Sequence, residues 1–541
     1  MTQSPLQFFS NLTAFQKAKW LLAEAIANHA TYCNKLQVAV SILSLLVVSF
    51  LLRILFIGNT FQSSDNAELA WKILKNSGYS WIIHDYYGAL IDVVVKLFVG
   101  LLSTFGITIT EFWWKVPIAI LGSFQAPLTY FFLKRRIGCS DFAAWFGAIS
   151  IAILPIHVFL SRYLYGYEVF GVFFVTLAIW KLLDFFETPT LTTGLLGSFF
   201  AGLYLISHGY IIPFVPCLIV ILVLFGPAEQ SDSFRRFTDN VKSSVRHLLW
   251  LFPLLLYPLY ISSIRHALQK PTRLGFYLQD HLPGFIENTG YGLVLLLVLA
   301  ISSSILGKRF RTKHSILFII CSASYLAPLL FGTPKGITVI RPYMLLSTYF
   351  LILSAAIALD KWESLRRRSM IVLIFLCFMV TLWGTVESVY GRDEMFDPSG
   401  VKIEYGGISR DPGSKAAGFL IRKYVKPSEK VLAIHGAVEP PNLFYYFGRS
   451  QYSFFDLPRR QAVEKLRLLR DKVDVIICSE VEAPLVESSG TFVKRVVLSS
   501  ENQTRMLIYA KPYVELPLIV SDVRPLNHLF DREYAWQVSL R

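Results

Sequence analysis

Leu133-Lys134-Arg135-Arg136-Ile137-Gly138 is a short basic link between two long apolar runs, 113–133 and 142–160. The same arrangement recurs down the chain. Arg235-Arg236 with Lys242 and Arg246, then Lys308, Arg309, Arg311 and Lys313, then Arg366-Arg367-Arg368 fall in alternate links between apolar runs. Cytoplasmic loops of membrane proteins carry the Lys/Arg excess. The pattern therefore predicts an α-helical polytopic membrane protein with these links on the inner side. A hydrocarbon core takes about 20 apolar residues per helix. Candidate spans lie near 36–57, 113–133, 142–160, 168–184, 192–208, 210–226, 247–264, 289–307, 314–333, 342–359 and 370–387. That makes about eleven transmembrane helices. A further run, 88–106, holds Asp92 and Lys96 four residues apart. A charged pair is costly in lipid, so this run is read as an interfacial helix with the two residues paired on its surface. The N-terminus is then inside, the C-terminus outside, and residues 58–112 form one long outer loop.

Composition agrees with this reading. Hydrophobic residues make up 54% of the 541-residue chain and charged residues only 16%. A soluble chain has roughly 25% charge. The net charge of +15 is concentrated in the inner links. It is therefore a topology signal and an attraction to anionic membrane lipids, not a nucleic-acid footprint. The six cysteines are scattered without pairing or zinc spacing, which predicts no structural disulfide. Residues 1–35 read as a cytoplasmic segment without a cleavable leader. Phe8, Leu12, Phe15, Leu22 and Ile26 sit at helical spacing, so the segment forms either an amphipathic helix on the inner leaflet or a plain tail.

The expected organisation is thus 1–35, a transmembrane domain over 36–387, and a tail over 388–541. Polar residues return in the tail and its segments alternate in type. Ala416–Tyr424 and Arg459–Arg470 read as helices, and Lys430–His435, Val473–Cys478, Phe492–Leu498 and Arg505–Tyr509 as strands. This predicts a C-terminal extracytoplasmic α/β domain.

The spans contain almost no charge. Arg53, Lys115 and Lys181 lie near span ends, where long side chains can snorkel to water. Polar groups collect instead in the outer loops. The first loop holds Ser63-Ser64-Asp65-Asn66-Ala67-Glu68 and later His84-Asp85. The second is Ser161-Arg162-Tyr163-Leu164-Tyr165-Gly166-Tyr167-Glu168, and a later one carries Lys335 and Arg341. Carboxylates and cations at one depth suit chemistry on a lipid phosphate. A carboxylate accepts a proton from an attacking hydroxyl. Arg and Lys hold phosphate and stabilise it as a leaving group. Aromatic residues such as Tyr163 suit sugar faces and the interface. The bland alternatives are Asp65 as a helix N-cap, Arg162 and Arg341 as headgroup anchors, and His84 as a solvated loop residue.

The long outer loop with an acidic residue soon after the first span resembles the GT-C glycosyltransferase superfamily. So does the run Gly122 to Glu168, which reads as helix, Leu133-Lys134-Arg135-Arg136-Ile137-Gly138, helix, Pro155-Ile156-His157-Val158-Phe159-Leu160-Ser161-Arg162, then an acidic residue. The likeness is to the branch of protein O-mannosyltransferases and lipid A aminoarabinose transferases. It implies an enzyme that moves a sugar, with inversion, from a polyprenyl-phosphate donor to a glycan, lipid or protein acceptor. By that resemblance Asp65 is the catalytic base or orients the acceptor, and Glu168 is the second acidic position. Arg162 and Arg341 are the phosphate contacts, with Lys335 as an alternative. Two departures stand out. The first loop reads Asp65-Asn66 with Glu68 three residues on, where the branch often has Asp-Glu, and His84-Asp85 replaces a His-Pro-Pro pattern. Both Asp65 and Glu68 therefore remain open as the base, and His84 remains a substrate or metal candidate. The branch this chain resembles mostly works without a metal; a divalent metal ion at Glu168 stays an open alternative, and no other cofactor is implied. A lipid-linked sugar flippase is the competing reading. It would need a polar path through the bilayer, which nearly charge-free spans do not offer. The unpaired cysteines and compact tail point to a bacterial plasma membrane.

Overall fold

A computed structural model describes residues 36–55, 89–107, 111–164, 166–208, 211–226, 233–247, 288–306, 312–331, 337–360, 368–386, 395–396, 402–403, 414–434, 453–454, 466–478, 480–500 and 503–522, with isolated positions besides. Long apolar runs become helices in sequence order. They are α1 (Leu36–Ile54), α2 (Ala89–Thr104), α3 (Glu111–Phe131), α4 (Asp141–Ile153), α5 (Pro155–Leu160), α6 (Tyr167–Glu187), α7 (Leu191–His208) and α8 (Ile211–Leu224). The polar helix α9 (Ser233–Arg246) follows, then α10 (Tyr291–Leu306), α11 (Lys313–Phe331), α12 (Ile337–Asp360) and α13 (Arg368–Val386). Among the described residues, three helices are long and apolar enough to cross a membrane by length and composition: Leu36–Ile54, Glu111–Ile137 and Tyr167–Glu187. Seven shorter apolar helices accompany them. Residues 248–264 of the expected span 247–264 lie outside the described residues.

Polar contacts sort the helix ends. Arg136 sits in a π-helical extension of α3, Phe132–Ile137, and pairs with Asp184 and Glu187 at the end of α6, each at 3.0 Å. Lys134 pairs with Asp141 at 3.1 Å, and the Ser140 backbone N–H donates to Asp360 at 2.6 Å. Lys313 lies 4.9 Å over the Phe225 ring. The basic link after α3 and the ends of α6, α8 and α12 therefore share one end of the bundle. At mid-bundle, Gln125 donates to Thr176 at 3.2 Å, and Thr176 bonds the Tyr349 hydroxyl at 2.9 Å. These polar side chains join α3, α6 and α12 where helix packing has little hydrophobic drive of its own.

The run at 88–106 forms α2, with Ile91, Val95 and Val99 on its buried face and Leu97, Leu101 and Phe105 exposed. Asp92 is fully buried, while Lys96 is half-buried. This corrects the expected surface position of Asp92, which follows Ile91 onto the face that packs inward.

The tail contains α14 (Ser414–Tyr424), α15 (Ala483–Glu487), a two-stranded ribbon of β1 (Met395–Phe396) and β2 (Lys402–Ile403), and a mixed sheet. Its strands are β3 (Val431–Ile434), β4 (Ser453–Phe454), β5 (Val475–Cys478), β6 (Val493–Ser500), β7 (Gln503–Ala510) and β8 (Ile519–Asp522), in the order β4-β3-β5-β7-β6-β8. β3 runs parallel to β4 and β5, while β7 is antiparallel to β5 and β6. Central strands read as unbroken apolar runs because both faces are covered. Val431, Ala433, Val475 and Ile477 share a cluster with Ala417 and Ile421 of α14. Leu432, Ile434, Ile476 and Cys478 face Leu466 and Val486 on the other side.

Candidate functional site

The span expected over 142–160 is not one helix. Proline has no N–H, so Pro155 cannot donate to the Ile151 carbonyl, and its ring disfavours helix in the residue before it. Leu154 is accordingly extended (φ −60°, ψ 117°), and α4 ends one residue before α5 begins. The carbonyls of Ile151, Ala152 and Ile153 lose their helical partners in a dry interior, where an unmade bond is expensive. Side chains from two distant helices replace them. Arg53 of α1 donates to the Ala152 carbonyl at 3.2 Å and to the Ile151 carbonyl at 3.4 Å. Thr385 of α13 donates to the Ile153 carbonyl at 2.6 Å.

Arg53 is completely buried. It also donates to Ser49 at 2.8 Å and to the Ser161 hydroxyl at 3.3 Å, and it lies 2.6 Å from Nδ1 of His157. A guanidinium only donates, so His157 Nδ1 accepts and its ring proton sits on Nε2. Ser161 in turn donates to the His157 carbonyl at 2.5 Å. Gly122 of α3 makes room for this cluster, since a Cβ there would lie 2.2 Å from Ser161 Oγ and 3.2 Å from Arg53 Nε.

Two more buried cations close the end of α1. Arg162 donates through one terminal nitrogen to the carbonyls of Arg53 at 3.2 Å and Leu55 at 2.5 Å. Lys115 Nζ donates to the Ile57 carbonyl at 2.9 Å. Cations suit the carbonyl end of a helix, where the backbone dipoles leave partial negative charge. Arg53 and Lys115 thus end inside the protein, which corrects the expectation that they snorkel. Their acceptors include the carbonyls opened at Pro155 and the Ile57 carbonyl past α1. Lys181 is half-buried and pairs with Asp184 at 2.8 Å.

Glu168 sits in the first turn of α6 and is buried. A carboxylate there is favoured by the helix N-terminus. Tyr163 is buried with its ring stacked on Phe159, 6.0 Å between centroids. Arg162 and Tyr163 thus follow α5 beside the end of α1, and Glu168 opens α6 six residues past Arg162. Asp65, Glu68, His84 and Lys335 lie outside the described residues. Arg341 belongs to the helical backbone of α12. Among the described residues no group of three or more His, Cys, Asp or Glu side chains is placed to hold a metal ion. Arg53, His157 and Thr385 were missed as a connected group. The available signal was Pro155 inside an apolar run together with an arginine inside the first span.

No protein-family model and no curated protein matches the chain. Solved structures do. ArnT from Cupriavidus metallidurans, bound to undecaprenyl phosphate, superposes with TM-score 0.54 at 13% identity, over 89% of this chain and 98% of that one. The oligosaccharyltransferase AglB from Archaeoglobus fulgidus, in complex with an inhibitory peptide and a dolichol-phosphate, gives TM-score 0.53 at 11% identity, over 88% and 75%. This chain shares the fold of these two proteins, the GT-C fold. The resemblance read from the outer loops thus extends through most of the molecule. At this identity, what the GT-C fold establishes here is a shared architecture of helical bundle and tail, while the roles of single residues rest on their own geometry.

Proposed function

We propose that the protein is an inverting glycosyltransferase of the outer membrane face, using a polyprenyl-phosphate sugar. One observation carries this reading. Three buried cations, Arg53, Lys115 and Arg162, gather around the end of α1, and the buried carboxylate of Glu168 opens α6 six residues past Arg162. The fold of the bundle matches ArnT over 89% of the chain, and ArnT binds undecaprenyl phosphate.

The acceptor hydroxyl oxygen attacks the anomeric carbon while the bond from that carbon to the phosphate oxygen breaks. Asp65 takes the hydroxyl proton, with Glu68 as the alternative base. The polyprenyl phosphate leaves as an anion, so no acid is needed to protonate it, unlike the paired carboxylates of glycoside hydrolysis. A single displacement inverts the centre. Arg162 and Arg341 contact the phosphate, with Lys335 as the alternative to either. Arg162 adds positive charge while it fixes the end of α1, from which the first outer loop departs. Glu168 orients the acceptor, Tyr163 backs the sugar subsite, and His84 contacts substrate from the first loop. The α/β tail over 388–541 lies outside the membrane and closes over the acceptor. The N-terminal segment lies inside, in a bacterial plasma membrane.

The test is a transfer assay on the full chain in lipid with a panel of radiolabelled polyprenyl-phosphate sugars. One donor should be consumed, and Asp65→Asn should abolish consumption while leaving the protein folded. Full activity in that variant removes Asp65 from the mechanism. Consumption of no donor, with labelled lipid moving across the bilayer, replaces the transferase by a flippase.

A further inference from the structure

Helix α9 is the one polar helix of the described bundle, and its contacts place it across the end of that bundle. From its centre, Asn240 donates to the carbonyls of Leu222 at 2.8 Å and Phe225 at 2.6 Å. Those carbonyls close α8. One turn earlier, Arg236 reaches the Val223 carbonyl at 3.5 Å. Just past its C-terminus, the His247 ring lies 5.6 Å from Phe185 in the last turn of α6. The His247 carbonyl also lies 3.0 Å from where a Cβ on Gly194 would stand, in the first turn of α7. The helix therefore bridges the ends of α6, α7 and α8 instead of running alongside them. This is the end that also gathers Lys134, Arg136 and Lys313.

Its two faces differ in kind. Asn240 and Ser244 point inward and are buried. A second face, about 110° round the helix from these two, carries Phe234, 75% exposed, and Val245, 64% exposed, with exposed Arg235, Lys242 and Arg246 beyond it. Among the described residues, none of these three cations is in an ion pair. At helical spacing Phe234 and Val245 lie within about 20° of each other, and the cations follow along one edge at about 80–120°. Apolar side chains flanked by cations on a helix laid along a bundle end match the boundary between acyl chains and headgroups.

We propose that this face of α9 is a docking surface for anionic phospholipid. Phe234 and Val245 enter the acyl layer, and Arg235, Lys242 and Arg246 contact the headgroup phosphates. The occupant is an anionic headgroup because three exposed cations, Arg235, Lys242 and Arg246, outnumber the half-buried Asp239 on this face and stand beside exposed apolar side chains. Each such cation contributes about fivefold to surface attraction at low salt.

The test is native mass spectrometry of the full chain with added dioleoylphosphatidylglycerol or dioleoylphosphatidylcholine. The native chain should retain the anionic lipid at least about fivefold more strongly, the contribution of a single cation. The variant R235Q/K242Q/R246Q should lose most of that preference, while R235K/R246K keeps it. An unchanged preference in the glutamine variant overturns the proposal. Should that variant fail to fold, a photoactivatable phosphatidylglycerol on the native chain decides the matter. Label within 233–246 supports the docking surface, and label confined to other segments overturns it. Neither readout involves sugar transfer, so the outcome is independent of the catalytic assignment.

Discussion

Arg53 satisfies two carbonyls of a broken helix, a hydroxyl on the next turn and a histidine nitrogen, all within one buried cluster. Bonds to a charged donor are worth about 1.5–3 kcal/mol each in exchange terms, and an orphaned buried acceptor costs about 1–3 kcal/mol. Arg53→Met should therefore destabilise the protein by about 3 kcal/mol or more, read as a lower melting temperature in detergent, with Arg53→Lys recovering part of the loss. In the tail, Cys478 is buried at the end of β5, and burial pushes its thiol up to about 12. A folded value above the unfolded one favours the native state at low pH, and that contribution is lost as pH rises from the unfolded thiol range towards 12. Iodoacetamide at pH 9 should leave Cys478 unmodified in the native protein and alkylate it after denaturation; rapid native labelling would contradict the burial. The sequence made the charges of Arg53, Lys115 and Arg162 visible, but not their partners. Those partners are backbone carbonyls, and which carbonyls are open depends on where helices stop.

Helices that continue without interruption were readable from apolar run length alone. The runs 168–184 and 192–208 became Tyr167–Glu187 and Leu191–His208. Strands with buried β-branched cores were equally plain, as in Val473–Cys478 against the observed Val475–Cys478. The break at Leu154 was not, because an apolar run gives no sign of whether a proline within it starts a new helix or merely bends one. β4 and β8 were missed for a different reason. Two and four residues at the edges of a sheet carry too little pattern, and their pairing is set by neighbours. Gly122 marks where α3 meets the turn after α5. Gly122→Val should force Ser161 and Arg53 apart, costing about 1–3 kcal/mol. If the proposed chemistry is correct, transfer activity should fall as well, since the same cluster braces the root of the first outer loop. A Gly122→Val protein with native melting temperature would show that the contact at Ser161 is not tight.

The Lys134–Arg136 link and the ends of α6, α8 and α12 meet at one end of the bundle, and the charge rule proposes that this end faces inward. Reporter fusions test the orientation proposed for the whole molecule. Alkaline phosphatase joined after residue 386 should be active, and joined within 361–367 inactive; the reverse pattern would invert the assignment. The tail order β4-β3-β5-β7-β6-β8 was beyond sequence reading, since several orders bury the same residues. A last consequence follows from Thr385, whose hydroxyl completes the Ile153 carbonyl from 232 residues away. Spans leave the ribosome in order, so the early half-helices must enter the membrane with that bond unmade. Assembly of this region cannot finish until the final span has been synthesised. A nascent chain halted before residue 370 should hold residues 141–160 in a protease-sensitive state, and release of the complete chain should protect them. The bond at Thr385 would then act as a completion signal, built into the backbone itself, that separates a finished protein from a truncated one.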